Sequence, residues 1–258
     1  ETAAEKIAVV YVAGIIIEGE SEEFFDSAQT AGTETMRKAF AQIRKDKAVK
    51  GVVVRIDSPG GSSAASEIIW GLVHETAKTK PVIASMGAEA GSGGYYIASA
   101  GSVIYASPAT LTGSIGVVVG KPVVQELLKK IHLHPYTYTR GKNAGLYDPF
   151  TGLSPSQRRN VEQQMDLTFR QFKDRVMEGR KGKIKDIDAL ATGRVYTGEQ
   201  ALTLGLVDKI GTLADAVAAV ADKAGIKSYK VIHLPKPKTL PELLLEGQGY
   251  KMDSEDVL

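Results

Sequence analysis

In the first half of the chain, continuous apolar runs alternate with apolar positions at helical spacing. Residues 7–17 (IAVVYVAGIII) form an unbroken apolar run rich in β-branched residues, which predicts a buried strand. Residues 18–33 are polar with scattered Gly and Ser and predict a loop. Met36, Phe40 and Ile43 then recur one helical turn apart, predicting a helix that ends near Asp46. A second buried strand is expected over 51–56 (GVVVRI), closed by Asp57-Ser58-Pro59-Gly60-Gly61. Ile68, Ile69, Leu72 and Val73 mark the next helix, and 82–86 a third strand. Strands are again expected over 103–105 and 115–119. This strand–helix–strand alternation argues for a mainly parallel α/β sheet with helices on its faces.

The second half opens on the best-defined element, a helix over 155–177. Val161, Met165, Phe169, Phe172 and Val176 line one stripe of it. Ser154 can cap the helix, Pro155 suits its first turn, and Gln157 completes a capping box. Thr197 and Gln200 repeat that box before a short helix at 200–204, and an alanine-rich helix over 215–224 precedes a strand at 229–234. From Pro235 the character changes: Pro235, Pro237 and Pro241 oppose regular structure. The expected organisation is a single domain over 1–234 and an extended arm over 235–258.

Composition removes several classes of function. The 258 residues suffice for one large core, and 43% apolar with 24% charged residues is ordinary globular usage. Net charge is +2, from 32 basic and 30 acidic residues, with no dense basic run, so no nucleic-acid partner is expected. The nearest such run, 180–185, reads as a solvated helix end. Cysteine is absent, which excludes thiol catalysis, disulfides and cysteine-ligated zinc. No stretch approaches the roughly 20 apolar residues of a membrane span. The sequence begins at Glu1 rather than Met, so a membrane anchor is expected, if anywhere, outside it.

Three glycine-rich segments carry the candidate chemistry: Ser58-Pro59-Gly60-Gly61-Ser62, Gly91-Ser92-Gly93-Gly94-Tyr95-Tyr96 and Leu111-Thr112-Gly113-Ser114-Ile115-Gly116. The first two each follow a predicted strand and precede a predicted helix, where glycine permits tight turns and leaves amides free at a helix start. Such amides serve a phosphate or a developing oxyanion alike. None of the three is a phosphate loop, since no Gly-Lys-Ser/Thr follows. Ser92 stands out because a nucleophile needs an exposed oxygen beside backbone N–H groups that face the same carbonyl.

Taken in order and spacing, these segments resemble the signal peptide peptidase A (protease IV) family. So do Gly193-Arg194-Val195-Tyr196-Thr197-Gly198 and Gly205-Leu206-Val207-Asp208. The resemblance runs from about Ile7 to Gly225. It implies the Clp protease/crotonase-like fold, repeated ββα units around a mainly parallel twisted sheet. It also implies a serine endopeptidase with a Ser–Lys dyad that acts on remnant signal peptides or other apolar membrane-associated peptides. By the same resemblance Ser92 is the nucleophile, Gly61 and Gly93 supply the oxyanion-hole N–H groups, and Ser114 positions the base. Closed homo-oligomers with sites near subunit interfaces are implied as well. So is a domain outside the cytoplasmic membrane, in a bacterial or archaeal cell envelope.

The base is where this sequence departs from the family. A lysine that accepts the serine proton must be desolvated, its pKa drawn down from about 10.4. The family places it in a segment that opens with Gly and closes with Pro, here Gly141-Lys142-Asn143-Ala144-Gly145-Leu146-Tyr147-Asp148-Pro149. Counting from either end puts it at Ala144, whose methyl group accepts no proton. Lys142 is the alternative base, but two residues along an extended segment displace an ammonium by about 6–7 Å. Ala144 is therefore read either as a lysine replaced to stop cleavage or as natural loss of the base. The chain is expected to be inactive as it stands.

Histidine offers no substitute. His74, His132, His134 and His233 are scattered, and none falls at Val117, where the related Clp peptidases place theirs. His132 and His134 lack a carboxylate set, so no metal is expected, and no cofactor is implied. Two other readings stand beside the peptidase. One is a catalytically silent peptide-binding scaffold. The other is a crotonase-type acyl-CoA enzyme, for which Glu89, read here as a solvent-facing turn residue, would have to be the carboxylate.

Overall fold

The computed structural model describes residues 5–22 and 29–236. The arm expected over 235–258 lies outside these residues from 237 onward. The run over 7–17 is broken at Gly14, giving β1 (Lys6–Ala13) and a separate short β2 (Ile15–Ile17). β2 pairs with β3 (Thr30–Gly32), which lies in the stretch read as loop. There follow α1 (Thr33–Lys45), β4 (Val49–Ser58), α2 (Ser63–Ala77), β5 (Val82–Gly91), the one-and-a-half-turn α3 (Gly93–Ala98), β6 (Ile104–Ala106) and β7 (Leu111–Gly113). The chain continues through α4 (Gln125–Lys130), α5 (Pro155–Gly179), α6 (Ile187–Leu190), β8 (Val195–Thr197), α7 (Gly198–Thr203), β9 (Lys209–Ile210), α8 (Leu213–Ala224) and β10 (Lys230–Leu234).

The main sheet runs β10-β1-β4-β5-β6-β9, every neighbouring pair parallel. Where β5 outruns β6, its last residues pair instead with β7, and β8 adds to β7 antiparallel. Both faces of the central strands are covered, which is why their sequences read as uninterrupted apolar runs. Ala8, Val10, Val12, Val52, Val54, Ile56, Val82, Ala84 and Met86 point into the larger core with α1, α2, α3 and α5. The alternate residues Ile7, Val9, Val53 and Ile83 meet Ala216, Val220 and Ala221 of α8 on the opposite face.

Two further sequence readings need correction. No strand forms over 115–119; the third glycine-rich segment pairs earlier, as β7. Ser114 takes φ 49°, the backbone of 114 and 115 still bonds Arg194 O and Gly193 N–H, and Val118 beyond them is 92% exposed. The basic run 180–185 is not wholly solvated either. Arg180 is fully buried, its Nη1 on Asp208 Oδ2 at 2.6 Å and Nη2 on Oδ1 at 2.9 Å, while Nε and Nη2 also donate to Gly205 O. Four of the five N–H donors of that fork are therefore used, and the Asp208 carboxylate pairs the charge, which is how it can sit inside. The capping boxes at Ser154/Gln157 and Thr197/Gln200 form as expected. Of the α5 stripe, Phe172 and Val176 are buried, while Val161, Met165 and Phe169 are only partly covered.

Asp208 also receives Lys183 Nζ and the Ile104 N–H. Burial by itself would raise its pKa, but the Arg180 and Lys183 hydrogen bonds hold it below the usual carboxylate range. A carboxyl whose pKa is lower folded than unfolded contributes stability above its unfolded value and loses it as pH falls. The urea midpoint is thus expected to be flat through neutrality and to drop below about pH 4. Asp208→Asn should lower it at neutral pH and flatten that acid limb, measured by urea titrations across pH. An unchanged acid limb in Asp208→Asn would show that this carboxylate carries none of it.

Candidate active site

The ends of β4 and β5 lie side by side, and each runs directly into a glycine turn and a helix. β4 leads through Pro59, Gly60, Gly61 and the N-cap Ser62 into α2, while β5 leads through Ser92 into α3. The two turns touch. Gly60 has φ +107°, and a Cβ there would lie 2.9 Å from Ser92 Cβ and 2.7 Å from Gly93 N. A Cβ on Gly93 would strike Ser66 Oγ of α2 and sit 3.3 Å from Gly60 Cα. The heads of α2 and α3 can meet only because neither residue carries a side chain.

Ser92 sits at the corner with φ 49° and ψ −116°, a backbone state that costs a non-glycine residue on the order of 1–3 kcal/mol. Its N–H donates to Gly113 O at 2.9 Å, and its C=O accepts from Tyr96 N at 2.9 Å. Although it is the N-cap of α3, its side chain makes no capping bond, and the hydroxyl has no partner among the described residues. The Gly93 N–H is the other end of the Ser92–Gly93 peptide plane, so Tyr96 orients it; as the first helical N–H it has no partner inside α3. On the facing turn, Ile16 N–H donates to Gly60 O and Ile16 O accepts from Ser62 N. In a parallel bridge this turns the N–H of the intervening residue, Gly61, to the side away from Ile16.

Ser114 closes the third side. Its Cβ lies 3.7 Å from where a Gly91 Cβ would stand, and Glu89 Oε1 lies 3.9 Å from that same point. Glu89 belongs to β5 and is half-buried, so it is not the turn residue expected from the sequence; its N–H donates to Asp57 Oδ1. The structure thus gathers Ser92, Gly61, Gly93 and Ser114 at the carboxyl ends of β4, β5 and β7. It does not bring the segment 141–149 to them. That segment is a series of turns tied to its own residues and to α5, through Ala144 N–H to Gly141 O and Ser156 Oγ to Asn143 Oδ1. Ala144 and Lys142 are both exposed, and no hydrogen bond or ion pair links 117–154 to the Ser92 corner among the described residues.

Local sequence grammar missed one group entirely. Tyr96 Oη donates to Glu67 Oε2 at 2.5 Å, and Arg175 Nη2 meets Glu67 Oε1 at 2.6 Å. Glu67 and Arg175 are far apart in the chain, so no motif joins them; only Tyr96, inside the Gly-Ser-Gly-Gly-Tyr-Tyr segment, lay within a recognised pattern. Burial would raise the Glu67 pKa, but the Arg175 and Tyr96 hydrogen bonds hold it below the usual range, and burial with Glu67 pushes the Tyr96 phenol far up. The carboxylate is charged and the phenol protonated throughout the working pH range.

A parallel α/β sheet with a serine at a strained strand-to-helix corner, beside backbone N–H groups, is the arrangement of a hydrolase that attacks acyl carbon. The family model for peptidase family S49 matches residues 74–227, and the chain belongs to that family. It is 38% identical to the chloroplastic serine protease SPPA of Arabidopsis thaliana, over 86% of this chain and 34% of that protein. Against Protease 4 of Salmonella typhi the identity is 34%, over 93% of this chain and 38% of that protein. A putative signal peptide peptidase SppA of Enterococcus faecium is 31% identical over 98% of this chain and 75% of its own length. The chain thus spans little more than a third of the length of the first two relatives. Among solved structures, a mutant of the 1510-N membrane-bound stomatin-specific protease superposes with TM-score 0.50 at 16% identity, over 91% of this chain and all of that one. That likeness supports the Clp protease/crotonase-like fold.

The close approach at Gly93 has a measurable cost attached. Gly93→Ala should destabilise the fold by about 1–3 kcal/mol, as overpacking does. Part of that loss should return in a Ser66→Ala background, which removes the struck oxygen. Urea denaturation of the two single variants and the double variant checks it, and strict additivity would contradict the contact.

Proposed function

We propose that this chain is the peptidase domain of a Ser–Lys serine endopeptidase, with Ser92 as nucleophile and the base position occupied by Ala144. The observation that carries this is the Ser92 corner: a strained backbone whose hydroxyl has no partner among the described residues, beside the Gly61 and Gly93 turns. Ser92 Oγ would attack the scissile carbonyl while the two N–H groups receive the oxyanion. Ser114 would orient the amine that takes the serine proton. With a methyl group at 144, that proton has no acceptor, and the chain is inactive as it stands. Lys142 is exposed, with no hydrogen-bond or ion-pair partner among the described residues, and it lies two residues from the family's base position. The substrates are peptides with small and apolar side chains, remnant signal peptides foremost, met outside the cytoplasmic membrane in a cell envelope. Among the described residues no helix is long and apolar enough to cross a membrane.

The segment bearing Ala144 points to where the base would act. Val118, Tyr136, Tyr138 and Tyr147 are between 84% and 96% exposed, and α4 buries no residue. An apolar surface of this kind wants a partner, and a second copy of the chain is the one that would bring residue 144 to Ser92. The site is then composite, its serine from one subunit and its base from the next.

Two experiments separate these statements. Ala144→Lys should cleave an unfolded apolar peptide at least roughly 10³–10⁴-fold faster than the present chain. Equal, substantial activity in both would sink the missing-base reading and point to Lys142, in which case Lys142→Ala should abolish it. For the composite site, the present chain, which has Ser92 and no base, is mixed with a Ser92→Ala, Ala144→Lys chain, which has a base and no nucleophile. Activity should appear on mixing and in neither preparation alone. If Ala144→Lys is active but the mixture stays silent, the dyad lies within one subunit.

A further inference from the structure

Both proposed oxyanion donors stand at the head of a helix, Gly61 just before the N-cap of α2 and Gly93 as the first residue of α3. An oxyanion hole works only if its two N–H groups keep a fixed separation, so something must hold the two helices in register. Packing at the heads is made of glycine, Ser66 and the Ile16 side chain, which limits how close the helices come but sets no angle between them.

One turn further along, the helices are joined by directional bonds to a single carboxylate. Glu67 of α2 receives Tyr96 Oη of α3 on Oε2 at 2.5 Å. From α5 it receives Arg175 Nη2 on Oε1 at 2.6 Å and Nε on Oε2 at 3.2 Å. Arg175 is itself held: its guanidinium lies 4.0 Å over the Trp70 ring of α2, and Nη1 bonds Glu178 Oε2 at 3.1 Å. The Tyr96 ring packs against Phe172 of α5, centroids 4.8 Å apart. Three helices therefore meet at Glu67. Apolar side chains would fill this space without the cost of desolvating a charge, but they would not set an angle or a register.

Tyr96 also has a direct link to the donor. Its own N–H holds the Ser92 carbonyl at 2.9 Å, and the Gly93 N–H is the opposite end of that same rigid peptide plane. A rotation or slide of Tyr96 therefore turns the Gly93 N–H. On the α2 side, Ser66, the residue before Glu67, sends both its N–H and its Oγ to the Ser62 carbonyl, next to Gly61.

We propose that Glu67, clamped by Arg175 and Tyr96, is a positioning group that sets the spacing of the Gly61 and Gly93 N–H groups and so the strength of the oxyanion hole. This rests on the oxyanion roles assigned above. It assigns Glu67, Tyr96 and Arg175 to transition-state stabilisation, although none of them touches the reacting atoms.

The test uses Glu67→Gln, Tyr96→Phe and Arg175→Lys, each in the Ala144→Lys enzyme, with Lys173→Ala as control. Lys173 ties α5 to Asp188 and reports loosening of α5 alone. A misplaced donor should lower kcat on the order of tenfold to a hundredfold with KM changed by less than about twofold. Affinity for a peptide boronate, which forms a tetrahedral adduct on the serine, should fall by the same factor as kcat. Affinity for the corresponding product peptide should hold. Glu67→Gln keeps the volume, and Tyr96→Phe removes a single oxygen, so at least one of the pair is expected to fold. A clamp variant that melts earlier yet keeps the parental kcat and boronate affinity would reduce the cluster to a structural role and overturn the proposal. Should Ala144→Lys prove inactive, the dyad reading falls, and the boronate titration is made on the chain with Ala144. Weaker boronate binding by Glu67→Gln then upholds the positioning role. Equal binding, or no binding to the parent, overturns it.

Discussion

Everything at the site depends on two backbones approaching closer than any side chain would permit. β4 and β5 are neighbours in a parallel sheet, so they end together and their following turns compete for the same space. Gly60 and Gly93 resolve that competition by presenting bare Cα atoms to each other, and the heads of α2 and α3 come to lie in contact. The strained geometry of Ser92 belongs to the same arrangement. With its N–H on Gly113 and its carbonyl on Tyr96, its φ and ψ are dictated from both sides. The rest of the domain, a sheet buried on both faces with α5 fastened across it, is what keeps this junction from relaxing.

Much of the fold was legible because its causes are local or periodic. Burial on both faces makes β1, β4 and β5 continuous apolar runs, and their lengths and glycine endings can be read directly. The capping boxes at Ser154 and Thr197 likewise signal α5 and α7 from a few adjacent residues. What escaped was set by distant partners. Gly14 is the one local hint that 7–17 splits into strands of different sheets; its φ of 76° and the close approach of Gln29 O, a distant partner, show why the break falls there. The apolar residues of 115–119 look like a strand, yet Gly193 and Arg194 capture the backbone at Ile115 and Ser114. Arg180 sits in a basic run and is nonetheless buried, because Asp208 and Gly205 O are waiting for it.

The site divides in the same way. Ser92, Gly61, Gly93 and Ser114 were recognisable because each is part of an ordered glycine motif, and the fold draws those motifs to one end of the sheet. Ala144 stood out only as a departure from a family pattern, and its place in the fold, exposed on a segment apart from Ser92, could not be read from residue types. The Glu67–Arg175–Tyr96 cluster had no signature as a cluster: Tyr96 lies in a glycine motif, but Glu67 and Arg175 are ordinary surface-type residues brought to it from two other helices.

The proposed donors of the hole are peptide N–H groups, and the proposed base is a side chain. That difference has an evolutionary reading. Two base changes in one codon turn a lysine into alanine, and position 144 is exposed and lightly connected. A backbone amide is harder to lose: among the standard residues only proline lacks the N–H, and other substitutions impair it only by distorting the glycine junction. Members of such a lineage would therefore tend to lose turnover while keeping a well-formed cradle for a peptide carbonyl. On the proposed assignment, a chain of this fold that loses its base is left as a peptide receptor.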